Sequence, residues 1–229
     1  MELNLEYSSF LERFLNHGYR FIEFENYDER KKNQIILRHD IDHSLEYAYR
    51  IAKIENSLDI RSVFFIMLSS NSYNPFTSEN MKLIERIIKL NHKVDLHFDP
   101  TIYKDLTKSL EREIYILKNI FNSNTNIISL HRPLADHLKP NFINYITTYD
   151  DKYFRRMKYF SDSNGEFKYG NPLQSKDFKH LNNIQLLIHP IWWIDRNLNR
   201  NLLIKKLKKD MLKGIEKYLT NNISFYNGE

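Results

Sequence analysis

The side chains able to do chemistry fall into five short polar clusters, each closing a run of apolar residues. They are Arg38-His39-Asp40-Ile41-Asp42-His43, Asp95-Leu96-His97-Phe98-Asp99, His131-Arg132-Pro133, Ser161-Asp162-Ser163 and His189-Pro190. Carboxylates and imidazoles are the donors of metal sites and the usual groups of general acid–base catalysis. Asp40 and Asp42 are separated by one residue, and side chains two apart in extended backbone share a face. Both carboxylates would then point into one mouth, with His39 and Ile41 turned away. Two such groups repel unless a cation or a proton lies between them. The pair reads as one metal ligand and one general base. The alternative is a helix cap plus a surface acid, because Asp42 stands just before a helical stretch.

His97 closes the run Val94-Asp95-Leu96, and taken alone it would be a hydrogen-bonded core histidine. With the aspartate pair and two further strand-end histidines it becomes a candidate metal ligand. His131 is either a ligand or a polar group packed under the site. Pro133 restricts Arg132 to extended geometry, which would aim its guanidinium at a carboxylate such as Asp162. His189, at the end of Leu186-Leu187-Ile188, is placed for a shifted pKa and a role as general acid. Trp192 and Trp193 follow, as core packing or as a wall for a sugar ring.

Elements that would position these groups alternate along the chain. Helical spacing covers residues 5–16 (stopping near Gly18), 44–56, 77–90, 104–121 and 198–219. Apolar strand-like runs cover 34–37, 62–68, 94–97, 127–130 and 185–188, with 142–148 and 158–161 as weaker strands. Strands alternating with helices imply parallel βαβ units, whose sites gather at the carboxyl ends of the strands. The 229 residues suffice for one such domain, 1–229, without repeats or linkers. Gly is scarce at 5, and neither GxGxxG nor GxxxxGK[ST] occurs, which argues against Rossmann and P-loop chemistry. The absence of cysteine excludes disulfides and thiolate sites, so a metal must sit on His, Asp or Glu. The acidic start of the chain lacks an apolar signal core, which gives the expectation of a cytoplasmic protein. Net charge is +5, concentrated in Lys205-Lys206-Leu207-Lys208-Lys209. That run is a solvated helix face or a surface drawn to an anionic membrane or a phosphorylated carrier. No nucleic-acid-binding motif accompanies it.

In order and type the clusters resemble those of the polysaccharide deacetylase superfamily (carbohydrate esterase family 4 and its relatives). Arg38-His39-Asp40-Ile41-Asp42 resembles the family's first, Asp-Asp motif, and residues 91–97 resemble the stretch carrying its first metal histidine. Arg132-Pro133 matches the Arg-Pro motif, Ser161-Asp162-Ser163 falls near the fourth motif, and Leu187-Ile188-His189-Pro190 resembles the last. The resemblance covers residues 34–193 and implies a distorted (β/α) barrel, seven-stranded and parallel, that removes acetyl groups with a divalent, zinc-like metal. It also implies roles: Asp40 as base, Asp42 and His97 as metal ligands, His189 as acid, and Arg132 with Asp162 tuning the base. Two departures stand out. Ile41 separates aspartates that are adjacent in the family, and Thr101 stands where the second metal histidine falls. Either His131 replaces that histidine, or the metal is held weakly, or activity is lost. A divergent branch with an Arg-His-Asp-x-Asp motif fits best. The expected substrate is an acetylated intracellular sugar, nucleotide- or lipid-linked, in surface-polysaccharide synthesis. The competing readings are a glycosyltransferase, since Asp40-Ile41-Asp42 is formally a DxD motif, and a carbohydrate-binding relative that lost turnover.

Overall fold

The protein is described by a computed structural model covering residues 6–123, 127–138, 145–195 and 197–228. Helix α1, Tyr7–Asn16, buries Tyr7, Phe10, Leu11 and Phe14, the spacing of one helical face. It ends before Gly18, whose φ of +96° turns the chain. Strand β1, Arg20–Ile22, precedes β2, Gln34–Ile41. Helix α2, Leu45–Ser57, starts where Ser44 accepts from the Tyr47 amide. Then come β3, Val63–Ile66, and α3, Ser78–Lys89, capped by Thr77. Strand β4, Lys93–Phe98, leads to α4, Leu106–Phe121, capped by Asp105. Beyond β5, Ile127–Leu130, lie β6, Ile146–Thr147, the short α5, Asp151–Phe154, and β7, Lys158–Ser161. The short α6, Lys176–Lys179, precedes β8, Ile184–Ile188. Helix α7, Arg200–Asn222, is capped by Asn199.

The strands order as β6-β5-β4-β3-β2-β8-β7, every pairing parallel, with β1 lying against the first residues of β2. They form a curled α/β half-barrel, as expected. The curl is visible in one side chain. Arg38 on β2 donates to Ser129 on β5 at 2.8 Å, three strands away. In a flat sheet that separation would be about 14 Å. β1 escaped the sequence reading because it has three residues and pairs along only part of β2. Of the weak strand at 142–148, residues 142–144 lie outside the described residues, and the remainder contains β6.

The largest correction concerns β2, which runs to Ile41 and not to Leu37, so Arg38 to Ile41 of the first polar cluster lie inside the strand. Arg38 to Ile41 pair in register with Val63 to Ile66. Polar residues are tolerated there because each face satisfies them. Outward, Ile35, Leu37 and Ile41 join the main apolar core beneath the helices, and His39 reaches Glu55 of α2, with Nε2 2.7 Å from Oε1. Inward, Ile36 joins Phe24, Phe65, Ile127, Tyr153 and others to fill the lower interior. Above that apolar plug stand Arg38 and then Asp40 on the same face of β2.

Glu55 is fully buried and also accepts from Tyr7 of α1 and from Ser62. His92 lies beside it, held by the Ala52 carbonyl at 3.0 Å. Burial alone would raise the Glu55 pKa, but His39, His92 and Ser62 together hold it below the usual glutamate value. Removing the carboxylate strands three polar partners in the core. Glu55→Ala is expected to lower unfolding free energy by about 3–5 kcal/mol in urea titration. A loss below about 1 kcal/mol would show that β2 and α2 do not rely on this pair.

Candidate metal and acid–base site

Four strand ends bring the site together. β2 supplies Asp40 and, one residue past its end, Asp42; β4 supplies His97; His131 follows β5; His189 follows β8. His97 and Ser129 are register partners on β4 and β5, which fixes the spacing of their side chains. Asp40 is 3% exposed. Ser129 Oγ lies 2.9 and 3.0 Å from its two oxygens. Arg38 Nη1 is 3.7 Å from Asp40 Oδ1. Because Arg38 donates to Ser129 Oγ, the single Ser129 hydroxyl hydrogen is left for Asp40. Burial disfavours the charge of Arg38, but Asp40 beside it and the surrounding tyrosine oxygens keep the guanidinium firmly protonated.

Asp42 Oδ1 lies 3.1 Å from His97 Nε2 and 3.3 Å from His131 Nδ1, and those two nitrogens are 3.1 Å apart. Asp42 Oδ1 is buried, yet no N–H is aligned on it. Burial pushes the Asp42 pKa up; the close ring nitrogens of His131 and His97, and the charges of His97 and His189, overcome it and hold the carboxyl well below the usual range. Burial likewise lowers the His97 pKa, but Asp40 and Asp42 outweigh it and raise the value. The cluster thus favours a positive charge at its centre. Its geometry suits a small cation. Bonds of about 2.0–2.1 Å in a tetrahedral site set ligand atoms about 3.3 Å apart. His97 Nδ1 faces the Ser129 carbonyl at 3.3 Å, which assigns the proton to Nδ1 and frees Nε2. The donor set of two imidazoles and a carboxylate fits a divalent transition metal.

His189 closes the opposite side. Its Nδ1 is 2.7 Å from Asp162 Oδ1, which also accepts from the His189 amide at 2.9 Å. Nε2 faces the mouth, 3.8 Å from Asp42 Oδ2. Burial would lower the His189 pKa, but Asp162, Asp42 and Asp40 raise it to about 9. Asp162 is fully buried and its second oxygen accepts from Trp193 Nε1 at 2.7 Å. The mouth between these groups is also lined by His43, Tyr47 and Ile191.

Two expectations change here. Arg132 does not reach Asp162. Its φ is +44°, not extended, and its exposed guanidinium pairs with Asp99 at 3.3 Å. Turning His131 inward after β5 throws the next side chain outward, so the guanidinium beside Asp40 is that of Arg38. Trp193 is not a sugar wall: it is 3% exposed, packed on Phe10 at 4.8 Å and Tyr7 at 5.2 Å. Its neighbour Trp192 is half-buried at the rim. Thr101 hydrogen-bonds to Asp99 through its amide and its hydroxyl, closing the turn after β4. Arg38 was given no role of its own in the sequence reading and Ser129 was passed over, although each stands two residues before a site residue on the same strand face.

No protein-family model matches the sequence, and no curated protein matches it significantly. Solved structures similar to it include a family 4 carbohydrate esterase from Bacillus anthracis, at 17% identity and a TM-score of 0.45, covering 90% of this chain and 86% of that one. The Streptococcus pyogenes deacetylase PplD in complex with acetate has 15% identity and a TM-score of 0.44, with 87% and 84% covered. BA3943, a family 4 pseudoenzyme from Bacillus anthracis, has 16% identity and a TM-score of 0.41, with 79% and 62% covered.

Proposed function

We propose that the protein is a metal-dependent deacetylase that hydrolyses an acetyl group from an amino sugar or sugar conjugate used in surface-polysaccharide synthesis. The observation that carries this reading is the convergence of Asp42 Oδ1, His97 Nε2 and His131 Nδ1 within 3.1–3.3 Å of one another, between Asp40 on one side and His189 on the other. Asp42, His97 and His131 would hold a divalent ion, zinc for preference; His131 then does what a histidine at position 101 would have done. Such an ion, when bound, polarises the acetyl carbonyl and makes water more acidic.

The remaining chemistry belongs to the chain. Asp40 accepts the proton of the attacking water as the tetrahedral centre forms. Ser129 and Arg38 keep its carboxylate oriented and charge-balanced. His189 gives a proton to the leaving nitrogen as the C–N bond breaks, because an amide anion is too poor a leaving group. A pKa of about 9 keeps His189 protonated at neutral pH, the state an acid must start from. Asp162 holds its ring by Nδ1 and so aims Nε2 at the mouth. A DxD glycosyltransferase reading leaves the two ligand histidines and the Asp162–His189 pair without a task.

The test is acetate release from a panel of N- and O-acetylated sugars by zinc-loaded protein. Activity should fall at high pH as His189 loses its proton, with the limb lying below the metal-free value of about 9, because zinc on Asp42 offsets part of the negative charge that raises it. His189→Ala should remove that limb and lower kcat by about 100-fold, with zinc content unchanged. Loss of zinc in this variant would move His189 among the ligands. Absence of acetate from every sugar with zinc bound would favour the binding-relative reading.

A further inference from the structure

Helix α7 is docked by only part of its surface. Leu203 and Leu207 are buried, Leu207 against Tyr47 and Ile191. Further along, Leu212, Ile215 and Tyr218 are 64%, 54% and 67% exposed. Leu212, Ile215 and Leu219 fall at the three- and four-residue spacing of one helical face. Along the edge of that apolar stripe Lys205, Lys209 and Lys213 recur at every fourth residue, a ladder of positive charge.

The helix also has a defined place. Arg200 in its first turn bonds the Asn164 carbonyl at 3.1 Å and pairs with Glu166, both just after β7. Asp210 accepts from Tyr47 in the first turn of α2 at 2.7 Å. Lys217 pairs with Glu79 in the first turn of α3. Every one of these partners lies past the carboxyl end of a strand. Helix α7 therefore runs along the rim that holds the mouth, and Tyr47 belongs to both.

We propose that α7 is an interfacial helix that seats the protein on an anionic lipid surface. Apolar side chains bordered by lysines enter the headgroup region while the ammonium groups meet lipid phosphates. Among the described residues no helix is long and apolar enough to cross a membrane, so the helix lies on the surface. The charge ladder selects this occupant over an uncharged apolar one. If the deacetylase reading holds, the mouth beside α7 works on sugars carried by lipid; the docking itself does not depend on that reading.

The test is co-sedimentation of the full chain with vesicles of phosphatidylcholine alone and of equal parts phosphatidylcholine and phosphatidylglycerol. It needs no turnover, so failure of docking and failure of the deacetylase reading are separate results. Binding is expected only to the anionic vesicles and should weaken with added salt. Lys209→Gln with Lys213→Gln should weaken it about 30-fold. Leu212→Ser with Ile215→Ser should weaken it about 10-fold or more. These positions are exposed, and circular dichroism should show the fold retained. No binding to anionic vesicles, or binding unchanged by the Leu212/Ile215 pair, would overturn the proposal. So would a wild-type dimer that this pair converts to monomer, which would assign the stripe to a second copy of the chain.

Discussion

Asp40→Asn should abolish most of the acetate release, by about 100- to 10,000-fold, while leaving zinc content near wild type; thermal unfolding should move down, because the buried Arg38 guanidinium loses its counter-charge. The amide has the shape of the carboxylate but cannot take a proton from water. Asp40 is the group for which this substitution isolates chemistry from binding. Its nearest side-chain partners are Ser129 and Arg38, and the close approaches to Asp42 belong to other residues. Retained turnover within about threefold of wild type would remove Asp40 from proton transfer, since general-base effects are far larger than that. Zinc lost along with activity would instead make Asp40 a ligand, which its place beyond the Asp42–His97–His131 triangle argues against.

Removing two of the three converging donors should have the other large effect. Asp42→Ala with His97→Ala is expected to lower zinc affinity by more than the 10- to 100-fold typical of losing a mere outer-shell partner. Acetate release should fall with it at limiting zinc and should not be rescued by raised pH. The comparison variant is Thr101→Val, which alters the residue where a second metal histidine was looked for but none of the converging atoms. It should keep zinc and activity, because Thr101 serves the Asp99 turn. Equal zinc content in the double variant and the wild type, by elemental analysis after dialysis, would dismiss these residues as the metal centre.

The alternation of elements was legible because buried parallel strands leave continuous apolar runs and amphipathic helices leave a 3.6-residue period. The strand-end position of His97, His131 and His189 was legible for the same reason: each ends such a run. What escaped is what one-dimensional pattern cannot hold. β2 reads as ending at Leu37 because charged residues follow, yet Arg38 and Asp40 balance each other inside the barrel and His39 is balanced by Glu55 outside it. Arg38 and Asp40 also share Ser129, 91 and 89 residues on, a partner that local pattern does not show. The Arg132–Asp162 pairing failed because a left-handed residue at 132 reverses the direction of its side chain. Trp193 became core because α1, far away in sequence, supplies the rings it packs on.

The account turns on a cation at one place, between Asp42 Oδ1, His97 Nε2 and His131 Nδ1. Crystals grown with zinc, measured on either side of the zinc absorption edge, test it most directly. The expected result is an anomalous peak at that point, in bonding distance of all three atoms and with Asp40 and His189 outside the coordination sphere. A peak centred on other residues, or no peak at the triangle while zinc is bound elsewhere, would contradict it.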